Sequence, residues 1–144
     1  MIGMLTALLS GALMSIQGVF NTGVTKQTSL WVATGLVQLT AFLVCIAAWF
    51  LTGRESISAL AYVQPKYLLL GGVIGAFITM TVVKSMGDLG PASATLLIVI
   101  AQLSVSYLIE LFGLFGAEKA DFSWRKLFGM VLAVVGIFIF QKSK

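Results

Sequence analysis

The chain has no histidine, one cysteine, two prolines and few charges, with 9 basic and 5 acidic side chains among 144 residues. Each scarcity excludes something. Without histidine, and with Cys45 alone in an apolar run, metal ligation and thiol chemistry have almost no material and no internal disulfide can form. Cys45 is expected to be a packed apolar side chain. No nucleophile stands beside a base, and the glycines of "GGVIGAF" lie along a helix rather than before one, which argues against an enzyme and against a bound cofactor or metal. The basic residues give a net charge of +4 but are scattered through short loops, so nucleic acid is not an expected partner. Strict alternation of apolar and polar residues over segments of about ten is absent as well, which argues against a membrane β-barrel.

What remains is apolar. Hydrophobic residues make up 59% of the chain and mean hydropathy is +1.05, values of an integral membrane protein. A hydrocarbon core about 30 Å thick takes about 20 helical residues to cross. The uncharged stretches 1–25, 27–53, 67–83, 89–109 and 127–141 therefore predict five transmembrane helices, at about 2–24, 30–51, 67–87, 92–113 and 124–140. The fold class expected is all-α, a single five-helix membrane domain over 1–144. The first segment has neither a basic n-region nor a small-x-small cleavage site, so it reads as a helix rather than a signal peptide. The last is short, but Arg125, Lys126, Lys142 and Lys144 can snorkel outward with Phe122 and Trp124 at headgroup level. The longest connection, 52–65, has room for a small interfacial helix. "GDLGPA", 87–92, reads as a compact turn with Pro91 opening helix four.

Two kinds of pattern lie on these helices. Small residues recur at four-residue spacing in Gly3, Ala7, Gly11 and Ser15 of helix one and in Gly71 and Gly75 of helix three, with Gly129, Ala133 and Gly136 making a similar face on helix five. Such ladders let backbones approach and predict helix packing. Polar residues form stripes: Gln102, Ser106 and Glu110 share one face of helix four, with Thr95 roughly in line, and Ser10, Gln17 and Asn21 share one face of helix one. A carboxylate at the bilayer centre costs about 2.5–3.5 kcal/mol on insertion scales, so it demands a partner, water or a proton. Counting about 1.5 Å per residue from Gly90 places Gln102 roughly 18 Å in and Glu110 roughly 30 Å in, near the opposite face. The same rise from Ile2 puts Gln17 roughly 22 Å and Asn21 roughly 28 Å along helix one, toward the face opposite Glu110. Lys84 and Asp88, four apart at the end of helix three, read as a solvated pair, with a gate as the functional alternative.

Orientation signals nearly cancel. Five spans put Arg54, Lys66, Lys119, Arg125 and Lys126 on one side and Lys26, Lys84, Lys142 and Lys144 on the other, almost no positive-inside bias. Such a chain is expected to insert both ways, and two inverted copies would supply the inverted repeat that many transporters encode in one chain. In that pairing Asn21 of one copy reaches the depth of Glu110 of the other, and Gln17 falls between Gln102 and Ser106.

"SIQGVFNTGV", "LLGGVIGAF", "AQLSVSYLIELFGLFG" and "RKLFGMVLAVVGIFIF" together resemble the YdcZ-like family, a small branch of the drug/metabolite transporter superfamily, over most of the chain. Gln17, Asn21, Gly71, Gly72, Gly75, Gln102, Ser106, Glu110, Gly113, Gly129 and Gly136 fall where the family pattern places them. The chain departs from it at Ala101, where glycine is usual, and at Glu110–Leu111, where Asp-His is usual. The acid is kept and the histidine is not, which bears against a proton relay requiring both. The resemblance implies five-helix units that pair antiparallel or are fused into ten-helix inverted repeats, in a superfamily that moves small organic solutes across the bacterial inner membrane.

The leading expectation is thus an exporter subunit, a homodimer of inverted copies working by alternating access around Gln17, Asn21, Gln102, Ser106 and Glu110, with proton coupling at Glu110. Its partners would be membrane lipid, a second copy or a sister five-helix half, and a solute. A neutral or zwitterionic solute is favoured, because a cation would want a counter-charge at the midplane. The alternatives are a dual-topology ion channel and a non-transporting membrane scaffold.

Overall fold

A computed structural model describes residues 1–142; Lys144, one of the expected snorkelling lysines, lies outside the described residues. Helices α1 (Ile2–Gln27), α2 (Leu30–Thr52), α3 (Gly71–Leu89), α4 (Pro91–Phe112) and α5 (Trp124–Lys142) make up most of it. Five spans are long and apolar enough to cross a membrane, the third extending from Lys66 to Leu89 because a 3-10 segment, Lys66–Leu70, precedes α3. The expected helix in the longest connection is a six-residue 3-10 turn, Ile57–Tyr62. The chain divides into two compact units, Met1–Asp88 and Leu89–Lys144.

In the first unit, α1 and α2 pack as a helical hairpin joined by Thr28 and Ser29 alone. Local chemistry closes the junction. The Thr28 hydroxyl donates to the Val24 carbonyl at 2.8 Å, and the Ser29 hydroxyl caps α2 by accepting from Val32 N–H at 3.3 Å. Serine and threonine inside the helices are tolerated because their hydroxyls bond back to their own helix. Thr22 donates to Gly18 O, Thr34 to Leu30 O and Thr79 to Gly75 O, at 2.8–3.0 Å. The buried residues of this unit are Gly18 and Asn21 of α1, Ala33 and Thr34 of α2, and Val83 and Met86 of α3. Met86 seats its thioether in the notch of Gly18: a Cβ built there would lie 2.4 Å from the sulfur. The first half of α1 and the second half of α2 bury nothing. Cys45 sits on that exposed part of α2, so the expectation of a packed cysteine is corrected: its side chain is exposed.

In the second unit, α4 and α5 pack against each other around Ala94, Tyr107 and Ile137. Leu89–Ser93 and Phe140–Gln141 share a pocket at one end, and Glu110 meets Lys126 at the other, so the two helices run antiparallel. The start of α4 corrects the expected turn at 87–92. Gly87, Asp88 and Leu89 are helical, and the break is Gly90 alone, at φ +82°, followed by Pro91 at the first helical position. Gly90 supplies a left-handed backbone that L side chains avoid, and Pro91 loses nothing where its missing N–H would have had no helical partner. At the other end Gly113, φ +62°, caps α4, its N–H donating to the carbonyls of Ile109 and Glu110. The following loop folds back so that Ala120 N–H donates to the Glu110 carbonyl at 2.9 Å.

Candidate functional site

Helix α4 places Ser106 and Glu110 one turn apart on its exposed face, and both line a pocket of about 360 Å³ between α4 and α5. Gln102, one turn earlier, is exposed and is not among the pocket residues. The counter-charge that Glu110 requires is Lys126: its Nζ donates to the carboxylate at 3.0 Å, each side chain about half exposed. The ammonium also lies 5.6 Å from the centroid of the Tyr107 ring, a cation–π distance. Tyr107 is buried and its hydroxyl accepts from Ser123 N–H at 3.1 Å, just before α5. Leu103, Gly129 and Met130 complete the pocket, and a Cβ on Gly129 would face open space.

Neither Lys126 nor Tyr107 was a candidate on sequence grounds. A signal for Lys126 existed: Glu110 is the third residue from the end of α4 and Lys126 the third of α5, so an antiparallel hairpin sets them opposite. Reading Lys126 as a snorkelling headgroup charge hid it.

On α1 the polar residues Ser10, Gln17 and Asn21 line a shallow hollow of about 660 Å³ along with Leu13 and Phe20. Gln17 is exposed; Asn21 is buried, 8% accessible. One turn on, Thr25 buries its hydroxyl with no hydrogen-bond partner, the one such side-chain polar atom among the described residues. Gln17, Asn21 and Thr25 thus share the i, i+4, i+8 spacing of Gln102, Ser106 and Glu110. Thr25 escaped notice because a lone threonine is ordinary in a membrane helix. Its missing back-bond shows only in three dimensions.

Lys84 and Asp88 form an ion pair at 3.3 Å on the last turns of α3, both mostly exposed, as a solvated i, i+4 pair would be. At the glycines of the small-residue faces there is room: among the described residues, a Cβ on Gly3, Gly11, Gly71, Gly129 or Gly136 would find no atom within 4 Å, while one on Gly75 would touch only the Gln38 amide at 3.9 Å. Ala7 is exposed, and Ser15 is part-covered with its hydroxyl donating to Gly11 O.

Five helices long and apolar enough to cross a membrane mark a small multi-pass membrane protein. Residues 2–139 match the family model described as "Putative inner membrane exporter, YdcZ", and the chain belongs to that family. No curated protein and no solved structure matches it.

Proposed function

We propose that the chain is a secondary transporter subunit that exports a small organic solute, working as one five-helix unit paired with an inverted second copy and alternating access around polar faces contributed by α1 and α4. The observation that carries this reading is the polar face of α4, which opens through Ser106 and Glu110 onto a pocket shared with Lys126 of α5. Support for pairing comes from the near-equal count of basic residues on the two sides and from the open space beside Gly3 and Gly11 of α1 and Gly129 and Gly136 of α5 among the described residues. In an inverted pair, Asn21 of one copy lies level with Glu110 of the other, and Gln17, Gln102 and Ser106 supply hydrogen bonds between the two mouths. Lys84 and Asp88 stay outside this path as a surface pair. The membrane is the bacterial inner membrane, and Glu110 is the acid on this path at which coupling to a proton gradient is tested.

A thermal-shift screen of purified protein against metabolites and toxic compounds supplies the solute, and flux of the hit in liposomes tests the reading. Glu110→Gln should abolish the dependence of flux on a pH gradient. Coupling that persists in this variant removes Glu110 from the cycle, and passive flux at channel rates would replace the transporter with a pore.

A further inference from the structure

The pocket on the α4 and α5 hairpin contains one acid, one base and two hydroxyls, of Ser106 and Tyr107, the latter already bonded to Ser123 N–H. Glu110 and Lys126 are 3.0 Å apart, half exposed and already neutralising each other. A solute with a single charge gains one member of this pair and strips the other of its partner. A cation must displace Lys126 from Glu110, and an anion must displace Glu110 from Lys126. A solute carrying both charges avoids the loss, because its ammonium meets Glu110 while its carboxylate meets Lys126, and both ion pairs are kept. We propose that this pocket is a binding site for a small zwitterion bearing a primary ammonium and a carboxylate, which opens the Glu110–Lys126 pair and inserts between its members. The assignment rests on the transporter reading only in giving that solute a journey; binding itself does not need it.

The surroundings suit this exchange. Tyr107 holds Lys126 over its ring at 5.6 Å and is itself fixed by Ser123 N–H, so the ammonium has a second resting place when the carboxylate turns to the solute. The backbone under Glu110 is pinned by Gly113 and Ala120, which leaves side-chain rotation as the movement required. Ser106, one turn below, offers a hydroxyl to either end of the solute. On the α5 wall, between Lys126 and Met130, Gly129 adds no side chain and leaves open space. At about 360 Å³ the pocket is near the low end of the roughly 300–1,000 Å³ of ligand sites, which limits the solute to a small one.

The test is thermal unfolding of the full chain in phosphatidylcholine nanodiscs, titrated with glycine, β-alanine, γ-aminobutyrate and L-lysine, against ethylamine and acetate as singly charged controls. At least one of the four should give a saturable rise in Tm that neither control gives. Apparent affinity should fall about tenfold or more in Glu110→Gln and in Lys126→Gln, as loss of a charge-assisted contact predicts. The charge-swapped double variant Glu110→Lys with Lys126→Glu keeps both charges and should recover binding, which separates a lost site from a damaged fold. Gly129→Leu fills the cleft without touching the pair and should block binding. No stabilisation by any of the four, or stabilisation that survives both single variants, overturns the proposal. Stabilisation by added phosphatidylethanolamine alone also overturns it, by giving the pair to a lipid headgroup. Binding without flux in liposomes would sink the transporter reading and leave this site standing.

Discussion

At the residue scale, the polar side chains in these helices meet the cost of leaving water in different ways. Most hydroxyls bond back to their own helix, as Thr22, Thr34 and Thr79 do. Glu110 finds Lys126. Thr25 has neither device, and its buried, unbonded oxygen carries the desolvation cost of a hydroxyl without the compensating bond. Thr25→Val removes that oxygen at nearly constant volume and should stabilise the protein by about 1–3 kcal/mol. Unfolding in detergent checks it; a destabilised variant would mean that the hydroxyl has a partner in the assembled protein. What the sequence discloses at this scale follows from spacing within one helix. Gln102, Ser106 and Glu110 on one face, and Lys84 beside Asp88, are readable because four residues is one turn. Lys126 over Tyr107 is not readable that way, since the contact depends on how α5 is registered against α4 and on the fold of the loop between them. Charge alone places Lys126 at the headgroups, which is where a solvated lysine belongs. A carboxylate on the facing helix end pairs with it as well.

At the scale of elements, the five helices were legible because charges punctuate the apolar runs, and a charge is costlier in lipid than any local propensity is strong. Their ends were less so. The segment 87–92 contains two glycines, an aspartate and a proline, and so looks like a turn, yet α3 runs through Gly87 to Leu89 and only Gly90 leaves the helix. Glycine breaks a helix where the backbone requires positive φ and merely weakens it elsewhere. The two glycines should therefore answer oppositely to the same substitution. Gly90→Ala forces a Cβ into a left-handed conformation and should cost about 1–2 kcal/mol. Gly87→Ala adds a methyl at an ordinary 4.0 Å from Thr22 and should stabilise α3 by about 0.5–1 kcal/mol through the backbone freedom it removes. Thermal unfolding of both variants decides the matter, and equal effects would contradict the assignment of the break to Gly90.

At the scale of the whole molecule, the helices bury little of themselves. The membrane-spanning windows are 6–11% buried, and small-residue faces on α1 and α5 are bare. Lipid can cover an apolar face, but a glycine ladder has its use against another backbone. The sequence adds that this other backbone can be an inverted copy, because five basic residues on one side face four on the other and orientation is left almost undecided. That balance can be tilted. Lys142→Gln with Lys144→Gln leaves five against two and should commit the chain to one orientation. Arg54→Gln, Lys119→Gln and Arg125→Gln leave two against four and should commit it to the other, while sparing Lys126 for its pair with Glu110. A terminal reporter read from both sides of the membrane measures the commitment. If transport needs an inverted pair, each tilted variant alone should lose most of its flux, because copies of one orientation cannot bring the α1 face of one to the α4 face of the other. Expressing the two together should restore it. Full flux from either variant alone would mean that parallel copies or single chains suffice, and the inverted pair would have to be abandoned.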